Sequence, residues 1–206
     1  MITANPDGTN AKAIEDLGNN QDKAHVSWSP NNQIVAYSFT GDPLGYDRQQ
    51  VLLIGQNQEN FKGLIVEGRG FVPNWSPTGD NLLYSVYNSS EGYLPKLWVS
   101  GASGDNINGN RRSLELNTWA DKCAWQNETS LVCAVPTSLE VGSGLQRDIA
   151  NDVPDSIYKI NLQTGEKLNL GVPVGKPTVG QMTLSKDGKA VYYTNLSTGA
   201  LERFAL

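Results

Sequence analysis

A fourfold internal repeat, a turn-rich composition and the lack of any sustained helical periodicity predict an all-β chain, a β-propeller of four-stranded antiparallel blades. The repeat is the strongest of the three. WSPNNQIVAYS begins at Trp28, WSPTGDNLLYS at Trp75, WQNETSLVCAV at Trp125 and LSKDGKAVYYT at Leu184, so the copies start 47, 50 and 59 residues apart. Tyr37, Tyr84, Ala134 and Tyr193 share one register, and Val35, Leu82, Val132 and Val191 another two residues earlier. Among 206 residues there are 20 Asn, 21 Gly and 10 Pro, so turn formers are abundant beside well-supplied Trp, Tyr, Val and Leu. That balance suits loop-rich β structure and neither a helical bundle nor a disordered chain.

The elements follow in order within a single propeller spanning 1–206. Residues 1–18 read as the last two strands of a preceding blade. Three full blades lie near 22–67, 70–117 and 119–171. Each has a hairpin from the repeat, then a third strand: QQVLLIGQ (49–56), PKLWVSGA (95–102) and DSIYKINLQTG (155–165). A short fourth strand follows in NFKGLIVE, RRSLELN and EKLNLG. Residues 178–206 supply three strands, ending in ALERFAL. Two arrangements stay open. The chain is a piece of a longer six- or seven-bladed propeller, or strand 11–17 joins the last blade as its outer strand and closes a compact ring.

Turn chemistry supports the hairpins. In Ser76-Pro77-Thr78-Gly79, Pro presets the first corner and Gly79 takes a positive φ. Lys186-Asp187-Gly188 does the same without Pro, and Asn31-Asn32 substitutes residues that tolerate the left-handed region. The long segment 137–154 interrupts the third blade between its second and third strands. A loop of that length implies a function or mobility.

The WSP hairpins and the opening ITANPDGTNAKAIEDL, with its Asp-Gly-Thr turn, resemble the repeats of TolB-type β-propellers. Related repeats occur in propeller domains of prolyl-oligopeptidase-like peptidases. The stretch from CAVP through the insertion to VPDSIYKINLQTG is similar to uncharacterised exported propellers of bacteria. The resemblance implies a periplasmic or extracellular, cell-envelope setting, and a full-length form carrying an export signal or anchor outside this segment.

Several classes are disfavoured. A net charge of -5 argues against binding a nucleic-acid backbone. No apolar run spans a membrane, and the first residues do not read as a signal peptide. No phosphate-cradling loop is present, so no cofactor is expected. A serine hydrolase needs a nucleophile elbow and a histidine base. No Gly-x-Ser-x-Gly occurs, and the single His25 reads as a strand residue. Two Cys with one distant His cannot hold zinc. The loop carboxylates Asp148, Asp152 and Asp155 have no EF-hand spacing, so no metal is expected.

Cys123 and Cys133 flank the third hairpin. Antiparallel pairing about Glu128 places them opposite each other, which fits either a disulfide or two buried thiols. Trp28, Trp75 and Trp125 occupy equivalent repeat positions and read as packing between blades. Trp119 falls outside the repeat, so it is a candidate for a ligand surface. The binding candidates are Asp42, Tyr46, Asp47, Tyr87, Tyr93, Trp119, Arg147, Asp148 and Asp152. The expected function is noncatalytic binding of a protein or peptide by the loops of a rigid scaffold. The rivals are a carbohydrate-binding or carbohydrate-active propeller, and the gating propeller of a peptidase whose catalytic domain lies elsewhere.

Overall fold

The computed structural model describes all residues, Met1–Leu206. Strands β1 (Ile2–Thr3) and β2 (Lys12–Ala13) form a two-stranded sheet. The first four-stranded sheet holds β3 (Ala24–Val26), β4 (Ile34–Ser38), β5 (Gln49–Gly55) and β6 (Leu64–Val66) in sequence order. The second holds β7 (Arg69–Trp75), β8 (Asn81–Tyr87), β9 (Lys96–Gly101) and β10 (Arg112–Ser113). The third holds β11 (Cys123–Asn127), β12 (Ser130–Pro136), β13 (Asp155–Asn161) and β14 (Lys167–Gly171). The last sheet holds β15 (Val179–Leu184), β16 (Ala190–Asn195) and β17 (Leu201–Ala205). All neighbours pair antiparallel, each sheet being a meander. These are the blades of a β-propeller.

Side-chain alternation builds the core between blades rather than within one. On β12, Leu131 and Cys133 face the second blade, where they meet Leu83, Leu97 and Leu116. Val132 and Ala134, one residue out of phase, face the last blade and meet Val179, Met182 and Tyr193. A strand buried on both faces reads as a continuous apolar run, which is why LVCAV shows no polar alternation. The same logic sets Leu82, Tyr84 and Val86 of β8 against Val51, Leu64 and Val66 of the first blade.

The hairpin turns follow the expected chemistry. Asn32, Gly79 and Gly188, at one repeat register, all have positive φ, of 59°, 77° and 70°. The serine that follows the first position of three of the motifs, for which the repeat suggests no role, closes each of these turns. Ser29, Ser76 and Ser185 hydroxyls accept the N–H groups of Ile34, Asn81 and Ala190 at 2.9, 3.1 and 2.9 Å. Neighbouring turns are then tied together. The Asn31 amide donates to the Gly79 carbonyl at 3.3 Å, and the Glu128 carboxylate accepts from Thr78 N–H at 2.8 Å and the Asn81 amide at 3.1 Å.

The strand pair read in 1–18 is present, the alternative pairing of 11–17 with the last blade is not, and one expectation, on Trp28, is corrected. Residues 12–13 pair with 2–3 and not with the last blade, whose β17 forms a sheet edge. The N-terminal segment instead packs Met1, Ile14 and Leu17 against Val35, Ala36 and Ile54 of the first blade. Trp75 and Trp125 do join blades, donating to Ser27 Oγ at 2.9 Å and the Asn74 carbonyl at 3.3 Å. Trp28 does not: it is 45% exposed and donates to its own turn residue, Asn32, at 2.9 Å.

Candidate functional site

The antiparallel meander sends every connection between second and third strands to one face of the molecule. In the first three blades these connections are 39–48, 88–95 and 137–154, which carry most of the residues singled out above. The loops touch each other. Asp47 accepts the Ser89 N–H at 3.1 Å and the Ser89 hydroxyl, joining the first loop to the second. The third loop joins the second through Gly142 N–H to the Gly92 carbonyl at 2.9 Å and Gly144 N–H to the Tyr93 carbonyl at 2.8 Å. Gly144 is required for that approach. A Cβ there would sit 2.5 Å from the Tyr93 carbonyl oxygen and 2.6 Å from Tyr87 Cβ.

Three tyrosines meet on this face. The rings of Tyr87 and Tyr93 meet edge to face at 6.4 Å. Tyr93 holds a positive φ of 56° just after Gly92, and its phenol meets that of Tyr46. The Tyr46 hydroxyl beside it, and then the Asp47 charge, push the Tyr93 phenol above its usual value. Tyr46 itself is 71% exposed. Its backbone is fixed by Arg69, which donates to the Tyr46 and Gly45 carbonyls at 2.8 Å each. Arg69 stands between Gly68 and Gly70, a pattern that does not announce this role.

The insertion 137–154 is anchored from below. Arg147 donates to both carboxylate oxygens of Asp121, at 2.7 and 3.0 Å, and its guanidinium lies 4.8 Å from the Trp119 ring centre. Trp119 is thus not a ligand surface. It is only 5% exposed and serves as the platform under Arg147, with the Lys122 ammonium 5.6 Å from the same ring. Arg147, expected to face a ligand, is equally committed to the fold. Lys122 donates to both oxygens of Asp155 at 2.7 Å, and Asp155 also accepts the Val179 N–H at 2.7 Å. Burial pushes the Lys122 ammonium down and the Asp155 carboxyl up from their usual ranges, against the attraction between them. This pair ties the third blade to the last beneath the loops.

Asp42, Asp148 and Asp152 stand exposed on the same loops. Asp148 accepts a hydrogen bond from the Asn151 amide at 3.2 Å. Leu44, Val141, Leu145 and Ile149 are also open to solvent there, Val141 at 75% and Leu145 at 53%. A groove of about 280 Å³ is lined by Leu94 and Leu139 of the second and third loops with Glu115 and Val135 among others. A second hollow of about 390 Å³ lies against the inner strands, between Pro73, Asn74, Trp75, Trp125, Gln181 and Met182. His25 is engaged by aromatic rings, stacking on Tyr37 at 5.3 Å and edge-on to Phe39 at 5.4 Å. Cys123 and Cys133 form a disulfide across the β11–β12 pair, in the interface between the second and third blades. No helix is long and apolar enough to cross a membrane.

No family model matches the chain, and no curated protein matches it in sequence. Solved structures do share its fold. A putative TolB from Agrobacterium tumefaciens is 14% identical with a TM-score of 0.53, over 87% of this chain and 56% of that one. The tricorn protease is 12% identical with a TM-score of 0.54, over 100% of this chain and 23% of that one. An oligogalacturonate lyase in complex with manganese is 13% identical with a TM-score of 0.55, over 84% of this chain and 47% of that one. The chain therefore spans about half, or less, of the structures it matches. At these identities the likeness is one of fold, shared by proteins with unrelated activities, and that fold is the β-propeller.

Proposed function

We propose that this chain is a noncatalytic propeller module that binds a protein or peptide through the face where loops 39–48, 88–95 and 137–154 meet. The observation that carries this reading is the coexistence of exposed apolar side chains with a fixed backbone. Leu44, Tyr46, Val141 and Leu145 are open to solvent. The loops that bear them are cross-linked by Asp47, Gly142 and Gly144 and pinned by Arg69 and Arg147. Exposed apolar patches on ordered loops mark interaction sites, and little entropy is lost when such loops bind.

Several charged groups beside these loops hold the fold together. Asp47 holds Ser89, Arg147 holds Asp121, and Lys122 holds Asp155. The disulfide supports an oxidising compartment, and with it a periplasmic or extracellular setting.

The rival readings, a carbohydrate ligand or a substrate gated by the channel, put the ligand at the inner strands instead. Hydrogen exchange in the presence of ligands selected from a displayed peptide library separates the two. Slowed exchange confined to 39–48, 88–95 and 137–150 is the expected result. Slowed exchange at 73–75 and 181–183, or binding of oligosaccharides there, overturns it.

A further inference from the structure

We infer that the occupant of this face is a cationic peptide segment with apolar side chains, an inference that rests on the binding role proposed above. The three loops carry six carboxylates, Asp42, Asp47, Glu91, Glu140, Asp148 and Asp152, against two guanidiniums and no lysine. Both guanidiniums are ion-paired, and Arg69, which also reaches into these loops, is turned onto the Tyr46 and Gly45 carbonyls. Arg48 lies 3.4 Å from Glu67, and Arg147 is clamped to Asp121. Of the carboxylates, Asp47 is spent on Ser89 and Glu91 on Lys96 at 3.0 Å. Asp42, Glu140, Asp148 and Asp152 stay exposed and outside any ion pair, so the field that a partner meets is negative.

The apolar elements are interleaved with that charge. Glu140 lies between Leu139, which lines the groove, and the exposed Val141. Asp42 lies two residues before Leu44. The Tyr46 ring is open to solvent beside Tyr93, and an ammonium or guanidinium is attracted to such a ring. The pattern suits a segment that alternates lysine or arginine with aliphatic or aromatic residues. The apolar side chains enter the groove and cover Val141 and Leu145, and the cations lie between the tyrosines and the carboxylates. The same field repels nucleic acid and anionic lipid surfaces.

The test uses three fluorescent peptides of equal length and equal Leu and Trp content that differ only in bearing lysine, glutamine or glutamate. Fluorescence anisotropy is expected to rank lysine over glutamine over glutamate, with roughly a tenfold step between the first two at low salt. The preference should collapse as added salt shortens the Debye length from about 30 Å to about 3 Å. Substituting Asp42→Lys with Glu140→Lys, both exposed and unpaired, should abolish the preference while leaving the melting midpoint in place. Equal binding of the three peptides, binding of none, or a preference that survives this variant overturns the inference. Tyr46→Ser with Leu145→Ser addresses the underlying reading separately. If that variant weakens all three peptides alike while charge has no effect, the face binds and its partner is not cationic. If peptides bind but that variant changes nothing, the face itself is wrong.

Discussion

Asp155 shows how a single side chain joins distant parts of the chain. It lies fully buried at the end of the insertion, holding Lys122 and the Val179 N–H at once. A buried pair of this kind adds little net stability, because desolvation offsets attraction, but breaking one half of it is costly. Lys122→Met leaves a carboxylate without its partner in the interior. Urea denaturation should show a loss of about 3–5 kcal/mol. Adding Asp155→Asn, which keeps an acceptor for Val179, should recover most of that loss. No recovery would mean that Lys122 acts through packing on Trp119. The sequence marked Asp155 as a loop carboxylate and Lys122 not at all, because charged residues in polar loops carry no sign of burial. Trp119 was misplaced for a related reason. Its position outside the repeat suggested exposure, yet a tryptophan under two cations is buried by chemistry that no periodicity records.

At the scale of the element, the hairpins were the most legible part. Turn residues and strand alternation are local, so Asn32, Gly79 and Gly188 were found with their left-handed conformations. The connections were legible as candidates but not as a site. The repeat places all of them on one face, but the contacts of Asp47 with Ser89 and of Gly144 with Tyr93 join residues of different blades, which no local pattern encodes. That last contact gives a direct prediction. Gly144→Ala puts a methyl group into the Tyr93 carbonyl and the Tyr87 side chain, so the insertion must lift away from the second loop. Overpacking of this type costs about 1–3 kcal/mol. Faster hydrogen exchange in 140–146 and at 92–94, together with weaker peptide binding, is expected. Unchanged exchange would show that the third loop is held by Arg147 alone.

For the whole molecule, stability is a sum over neighbouring blades. The second and third blades each have a blade on both sides and share the largest apolar cluster, which contains the disulfide. The first blade has only β1 and β2 beyond it, and no residue of its inner strand β3 is buried. The last blade is a three-stranded sheet edged by β17, where Leu201 and Arg203 are exposed. Native-state hydrogen exchange should therefore slow in the order β3, then β16 and β17, then β8 and β12. Reduction of Cys123–Cys133 should speed β11 and β12 by no more than the factor set by about 2–3 kcal/mol, the value for so short a loop. Uniform protection across all four blades would mean one cooperative unit instead. The propeller architecture itself was readable because the repeat encodes it four times. The disposition of the ends was not, since strands 2–3 and 12–13 are too short to declare a partner.

The exposed indole of Trp28 has an optical consequence. Trp119, beside two cations, and Trp125, in the apolar cluster, are both buried, whereas the indole of Trp28 is open to water on the free flank of the first blade, just after β3. Iodide or acrylamide should extinguish its red-edge fluorescence before that of the others. Anything that came to cover that flank would shift this emission toward the blue, so the molecule carries its own dye at the margin where another blade would stack.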